Sequence, residues 1–262
     1  MLSKYLSLMR LNWGLSLEYR AEGFIWLMTN MFNVIMLLVW LSISRAGPVN
    51  GFSSADFVAY YMIGLIVRQL TAAWSSWELS FAISEGRLSP QLLRPIHPIH
   101  QEITANWSEK VLRMTLLLPI VAAVLILTPG VSLHVTPASL LAFAVSVAGA
   151  WAIYFLADYC VGILAFWTTQ ATAFSNVLYG LKIVLGGILA PIQMFPPAVQ
   201  ALLEWLPFKY MLAFSNEIAL GQASGERLLS GLAVQWAWVL ALWLLMQVLW
   251  RLGVRSYGAV GA

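Results

Sequence analysis

The residues best able to do chemistry lie in one polar segment, Glu85 to Glu102, with the sequence EGRLSPQLLRPIHPIHQE. This segment carries two arginines, two histidines and three prolines in a chain that is otherwise largely apolar. His97 and His100 have a spacing that a metal ion could use on a helix, but Pro98 separates them and no thiolate or pair of acids is nearby. We therefore interpret both as loop histidines and expect the segment to contact something in water.

Motifs of the common enzyme classes are missing from the sequence. It contains no GxxxxGK[ST] phosphate-binding loop, no HExxH and no GxSxG. Cys160 is the single cysteine, which excludes an internal disulfide, and its apolar surroundings indicate a small buried residue. We therefore predict that the chain is not an enzyme and has no catalytic residue, cofactor or metal of its own.

The composition places these polar residues in a membrane protein. Of 262 residues, 61% are hydrophobic and 10% are charged, against about 25% charged in soluble domains. Thirteen tryptophans suit a protein with two lipid–water interfaces. The net charge of +3 is too small to indicate nucleic-acid binding. The first twenty residues lack the apolar core and cleavage site of a signal peptide, so we expect none.

Uncharged runs divide the chain into helices of membrane-spanning length, because about 20 residues cross a hydrocarbon layer of about 30 Å. Residues 2–20 predict an amphipathic helix at the membrane interface. Glu109 and Arg113 are spaced for a same-face pair, so the third helix begins before the membrane. We predict a single all-α transmembrane domain, residues 1–262, with six transmembrane helices at about 24–44, 57–79, 106–128, 138–166, 174–192 and 228–250.

Three charged residues lie well inside predicted spans, away from the charged helix ends: Arg68, Asp158 and Lys182. A charge at mid-bilayer costs at least about 3 kcal/mol unless protein, water or an opposite charge receives it. Asp158 is one possible partner for Lys182. Two interpretations follow, in which the charges form structural pairs or serve a transporter as functional residues.

Glycine and proline interrupt the apolar sequence between the fifth and sixth spans. Irregular backbone at membrane depth is tolerated only where it is buried in protein or lines a cavity. We therefore predict a re-entrant or externally lying hairpin here, with its turns at Gly187, Pro191, Pro196, Pro197 and Pro207.

Basic residues accumulate on one side of the predicted six-span topology, and cytoplasmic loops are the ones enriched in Lys and Arg. This distribution predicts that both termini and the polar segment are cytoplasmic, in the cell inner (plasma) membrane. The side of the termini holds Lys4, Arg10, Arg20, Arg87, Arg94, Lys110, Arg113, Arg251 and Arg255, and the other side holds Arg45, Lys209 and Arg227.

Three stretches together resemble the permease subunit of type-two ATP-binding-cassette (ABC) transporters, in particular its compact group. The first is the amphipathic N-terminal stretch. The second is ISEGRLSPQLLRPIHPI, residues 83–99, which is similar to that group's G-x-L-x-x-x-L-L-R-P pattern. The third is GILAPIQMFPPAVQALLEWLP, residues 187–207, which resembles its external hairpin.

The resemblance implies an ATP-driven exporter in which two permeases, the same or homologous chains, bind two cytoplasmic ATPase subunits. ATP and magnesium would then bind to those partners and not to this chain. The polar segment would be the coupling helix, with Pro90 starting it and the Arg94–Pro95 junction ending it. Its leucines would form an apolar patch and its arginines would meet acids of the ATPase. The implied coupling residues are Glu85, Gly86, Arg87, Leu88, Leu92, Leu93, Arg94 and Pro95.

Two other functions are conceivable for a membrane protein with these residues. An ion-coupled secondary transporter would use Arg68, Asp158 and Lys182, but the two halves of the chain lack the matching broken spans of such proteins. An intramembrane enzyme lacks a His/Asp or Ser/His set near an interface. The transported substrate, and whether the two permeases are identical, stay open.

Overall fold

The computed structural model describes Met9, residues 31–133 and residues 135–258. In these residues the regular structure is helical, apart from one bridge between Val49 and Phe52. Single 3-10 turns lie at Ser44–Ala46, Leu164–Phe166, Ile192–Met194 and Lys209–Met211. The α-helices are α1 (Met31–Ile43), α2 (Ser54–Thr71), α3 (Ser75–Ser84), α4 (Ser89–Leu92), α5 (Pro98–Leu127), α6 (Pro137–Ile163), α7 (Ala171–Leu185), α8 (Pro197–Leu203), α9 (Ala213–Ala219) and α10 (Gly225–Ser256).

The all-helical prediction is confirmed, whereas fewer than six helices in the described part of the chain have the length and apolar composition of a membrane span. Three stretches there are long and apolar enough to cross a membrane: Ser54–Ser84, Pro137–Phe166 and Gly225–Ser256. A fourth is α5, which bends by 41° between Val111 and Arg113. The shorter apolar helices are α1 and α7. The predicted interfacial helix lies outside the described residues except for Met9, and the first predicted span is described only from Met31.

Short polar motifs set where the long helices begin. Ser53 caps α2, because its side chain accepts from the Asp56 amide while the Asp56 carboxylate accepts from the Ser53 amide at 2.8 Å. Thr136 and Ser139 form the equivalent box at the start of α6, with Pro137 at the first helical position. These caps satisfy amide groups that a helix start would otherwise leave without acceptors.

The second predicted span is two helices, because the backbone leaves the helical conformation at Ala72. A broken helix at membrane depth frees carbonyl groups that protein partners must satisfy. Asn106 donates to the Ala72 carbonyl at 3.2 Å, and the Lys110 ammonium donates to the same oxygen. The third and fourth turns of α5 therefore stabilise the break between α2 and α3.

Two other predicted helix boundaries, one start and one end, differ from the structure. The third helix begins at Pro98 rather than near residue 106, and the fifth ends at Leu185 rather than near residue 192. The fifth ends there because Gly187 turns the chain with a φ of +90°, and a Cβ at this position would lie 2.5 Å from the Tyr60 hydroxyl. The fourth and sixth predicted spans coincide with α6 and with the central part of α10.

Helix α6 is the centre of the larger core. Its buried side chains include Ile153, Phe155, Tyr159 and Ile163, and it packs on α10, α3 and α9. A second core lies between α2, α1 and α5 around Phe57. The polar segment that begins at Glu85 thus connects α3, which packs on α6, to α5, which packs on α2.

Candidate functional site

The polar segment leaves α3 through a tight turn at Gly86. Gly86 has a φ of +73°, a left-handed conformation that glycine adopts without a Cβ penalty. The Leu88 amide then donates to the Ala82 carbonyl at 2.9 Å and returns the chain against α3. Helix α4 follows with Pro90 in its first turn and ends at Leu92, so the expected short helix before the Arg94–Pro95 junction is present.

The three leucines of this segment do not form one exposed patch, contrary to expectation. Leu88 is fully buried in the core that surrounds α6. Leu92 packs partly against the same core, whereas Leu93 is 88% exposed. Leu88 and Leu92 are four residues apart and face inward together, and Leu93 points away from them. Of the three leucines, Leu93 therefore offers most of the apolar surface that a partner could contact.

Two contacts attach the segment to the end of α10. The Ser89 and Tyr257 hydroxyls lie 2.9 Å apart. The His97 ring packs on the Trp250 ring with centroids 4.6 Å apart. The segment therefore contacts the end of α10 at the start of α4 and again at the start of α5.

The two histidines belong to the start of α5 and not to a loop. His97 is the N-cap, and its Nδ1 accepts from the Ile99 amide at 3.2 Å, while His100 lies in the first turn. Burial and the neighbouring His100 lower the pKa of His97 below 6.5. A neutral imidazole is the form that can accept this bond, so the depressed pKa supports the cap.

The charged side chains of residues 85–94 face solvent. Arg87 Nε donates to Glu85 at 2.6 Å in a pair whose side chains are 62% and 54% exposed. Such exposed pairs contribute about 0–1 kcal/mol, so the Glu85 contact leaves Arg87 available for a competing acid. Arg94 donates to Gln101 at 3.3 Å, and Pro95 is exposed beside it.

Leu88→Ala should lower the free energy of unfolding by about 2–5 kcal/mol, because truncating a buried leucine leaves a cavity in the core. Leu93→Ala is the matched control, since Leu88 and Leu93 flank α4 at its two ends, and it should change stability by no more than about 0.5 kcal/mol. Thermal unfolding of both variants in detergent tests the difference. Equal effects of the two substitutions would contradict the inward position of Leu88.

The structure pairs two of the three charges inside the predicted spans. Lys182 on α7 donates to Asp158 on α6 in a salt bridge whose side chains are 3% and 2% exposed. The Lys182 ammonium also lies 3.5 Å from the centre of the Tyr154 ring, a cation–π contact. The expected partner of Lys182 is thus present, and the pair joins α6 to α7.

Arg68 is buried among neutral partners. It donates to the Asn33 side chain at 2.9 Å and to the Tyr179 hydroxyl at 3.3 Å. The Tyr179 ring also lies against Trp74 and Trp77. Arg68 therefore connects α1, α2 and α7 near the break between α2 and α3.

The region between α7 and α10 is folded into short helices that bury an ion cluster. Lys209 is 2% exposed and lies 2.6 Å from Glu204 and 3.4 Å from Glu217. Burial raises the pKa of Glu217 above 4.5, while Lys209 and Arg227 oppose the shift. Lys209 was predicted to lie on the side of the membrane opposite the termini, and no local pattern in the sequence indicated that its side chain is buried.

The hairpin residues predicted from glycine and proline occupy several positions in this region. Gly187 and Pro191 are buried, Pro196 and Pro197 are exposed at the start of α8, and Pro207 lies between α8 and α9. The Tyr60 hydroxyl donates to the Gly187 carbonyl at 2.8 Å. The hairpin is thereby attached to α2.

The structure also brings together two acidic residues that the sequence did not indicate as neighbours. Glu102 on α5 lies close to Glu78 on α3. Their positions in the sequence do not indicate this proximity, because it depends on how α3 and α5 pack.

The sequence of the chain also matches a known protein family. The family model for "ABC-2 family transporter protein" matches residues 25–261, which is almost the whole chain. No curated protein matches the chain. Membership of this family implies ABC ATPase partners and does not favour an ion-coupled secondary transporter. With its apolar helices able to cross a membrane, the chain belongs to the ABC-2 family and is the multi-pass permease subunit of an ABC transporter.

Proposed function

We propose that this permease belongs to an ATP-driven exporter and that residues 85–98 receive the motion of the ATPase. The observation that carries the proposal is the two-sided character of this segment. Its inner side is held in the core through Leu88, while Arg87, Leu93 and Arg94 are exposed. A helix with one anchored side and one charged side suits a groove on a partner protein.

The connections of the segment support a mechanical role. Leu88 contacts the core around α6, and Ser89 and His97 contact the end of α10. His97 is also the N-cap residue of α5. A push on α4 would therefore reach α6 and α10 through packed side chains and α5 through the backbone, because packed cores transmit displacement with little compression.

We propose six spans in the assembled transporter, with α1 and α7 as the two additional ones. Helix α7 has 15 residues, or about 22 Å at 1.5 Å per residue, and the buried turn at Gly187 continues its path. The distribution of Lys and Arg supports cytoplasmic termini in the plasma membrane and a cytoplasmic position for residues 85–98. The hairpin from Gly187 to Pro207 would then lie on the outer side.

The proposed assembly contains two permeases, identical or homologous, and two ATPase subunits. The ATPases would bind ATP and magnesium, since the chain has no phosphate-binding loop of the GxxxxGK[ST] kind. Closure of the ATPases on ATP would tilt the segment and open a path between the permeases. Substrate would leave through that path toward the outside.

Native mass spectrometry of the tagged permease, purified from its own cells, tests this assembly. We expect a complex of two permeases and two ATPases, in which the number of permease masses distinguishes a homodimer from a heterodimer. Truncation of the exposed side chains in Arg87→Ala/Leu93→Ala/Arg94→Ala should release the ATPases and keep the permease folded, because none of the three is in the core. Full transport by a permease without a bound ATPase would contradict the proposal.

A further inference from the structure

A cavity of about 640 Å³ lies beside the start of α5. It lies where the N-terminal part of α5 meets α6 and α10. The volume falls within the range of small-molecule sites, about 300–1,000 Å³. Ile99 and Ile103 of α5 contribute to its wall, together with Leu240 and Met246 of α10.

Aromatic rings dominate two walls of this cavity. Trp236 and Trp243 are seven residues apart on α10 and therefore share one face of the helix. On α6, Trp151 and Phe155 are stacked with ring centroids 5.5 Å apart, and the small Ala152 beside them leaves space between the walls. Flat rings on facing helices are suited to stacking on another flat ring.

The polar groups of the lining are few and carry no fixed charge. Among the residues that the structure describes, they are His97, His100 and Gln247, in addition to the indole N–H groups, and none of the described Asp, Glu, Lys or Arg residues lines the cavity. The His97 imidazole is already engaged as the cap of α5. A charged ligand would leave its charge without a counter-ion here, which is costly in an apolar site.

We propose that this cavity binds an uncharged planar aromatic molecule, stacked between the tryptophans of α10 and the Trp151–Phe155 pair. The ligand would touch His97, which joins the coupling segment to α5 and packs on Trp250. If residues 85–98 couple the permease to its ATPase, as proposed above, occupancy of the cavity would be communicated to the ATPase through this residue. Binding itself does not depend on that function.

Photolabelling of the intact transporter in lipid nanodiscs without ATP tests the binding. The probe is 1-azidopyrene, an uncharged planar aromatic compound, and a phosphatidylcholine with a diazirine in its acyl chain reports general lipid contact. We expect saturable pyrene adducts on residues 97–103, 151–156 and 236–247 that unlabelled pyrene displaces. Non-saturable adducts spread like those of the lipid probe, over exposed side chains away from the cavity such as Leu141 and Val248, would overturn the proposal.

Substitutions of the two cavity tryptophans of α10 provide a second test of binding. Trp236→Leu/Trp243→Leu should raise the half-saturating probe concentration about tenfold, the loss expected for two aromatic contacts. Trp236→Phe/Trp243→Phe keeps the rings and should retain most of the labelling. Trp205→Leu is the control, since Trp205 is 74% exposed and lies outside the cavity. Unchanged saturation in the leucine pair would overturn the proposal, and if that pair fails to fold, the adduct positions in the natural protein decide it.

A second measurement separates the two proposals. ATP hydrolysis by the complete transporter should change at pyrene concentrations that saturate labelling. Saturable labelling in the cavity without any change in hydrolysis would uphold the binding site and contradict its communication with the ATPase.

Discussion

Lys182→Met will destabilise the protein by about 3–5 kcal/mol, because removing one member of a buried ion pair leaves the other charge uncompensated. Asp158, the remaining partner, is 1% exposed and has no other cation within salt-bridge distance in the described part of the chain. The substitution also removes the contact of the ammonium with the Tyr154 ring. Thermal and denaturant unfolding of the purified permease in detergent measure the loss.

Replacing both partners should recover most of that stability. In Lys182→Met/Asp158→Leu neither charge is left alone, and apolar replacements of buried pairs are often neutral. Arg45→Met is a control at an exposed position and should change stability by no more than about 0.5 kcal/mol. If the single and double variants were equally unstable, the charge pair would not be the source of the effect.

The same double variant separates the two functions that the buried charges first suggested. A structural pair predicts that Lys182→Met/Asp158→Leu still transports with ATP. An ion-coupled transporter that uses these charges predicts that transport stops even though the protein is folded. The family match already favours the first outcome.

Arg87→Glu/Arg94→Glu should reduce ATP-driven transport at least tenfold while ATP hydrolysis continues. A tenfold loss corresponds to about 1.4 kcal/mol, and reversing two charges that face acids replaces attraction by repulsion. The permease itself should stay folded, because both arginines are exposed and outside the core. Transport and hydrolysis measured on the same proteoliposomes give the coupling ratio.

Arg45→Glu is the matched control for this charge reversal. Arg45 is also exposed, but it lies beside the start of α2, whereas Arg87 follows the end of α3. The two positions are therefore at opposite ends of the Ser54–Ser84 stretch. Unchanged transport in Arg87→Glu/Arg94→Glu, or an equal loss in Arg45→Glu, would show that residues 85–98 are not the input of the ATPase.

Local chemistry made much of this protein predictable from its residues. Long uncharged runs indicated a helical membrane protein, because backbone groups in lipid must be satisfied within the segment. Glycine marked the turn at Gly187, and Pro90 marked the start of α4. The pattern around residues 83–99 identified the family that the comparison confirmed.

Only the tertiary structure decided which way the important side chains face. Leu88 and Leu93 are both leucines of one short segment, yet one is fully buried and the other is 88% exposed. Composition cannot separate them, because burial of Leu88 depends on how α4 rests on α6 and α10. The apolar patch predicted from the three leucines was wrong for this reason.

The partners of the buried charges were decided in the same way. Lys182 meets Asp158, which is 24 residues away, while Arg68 meets Asn33 and Tyr179, which are 35 and 111 residues away. Lys209 is buried although its surroundings in the sequence resemble a surface loop. The sequence by itself determined that these charges need partners, since an isolated charge is costly in a membrane. The packing of the helices determined which partners they have, because residues distant along the chain meet only where helix positions and angles bring their side chains together.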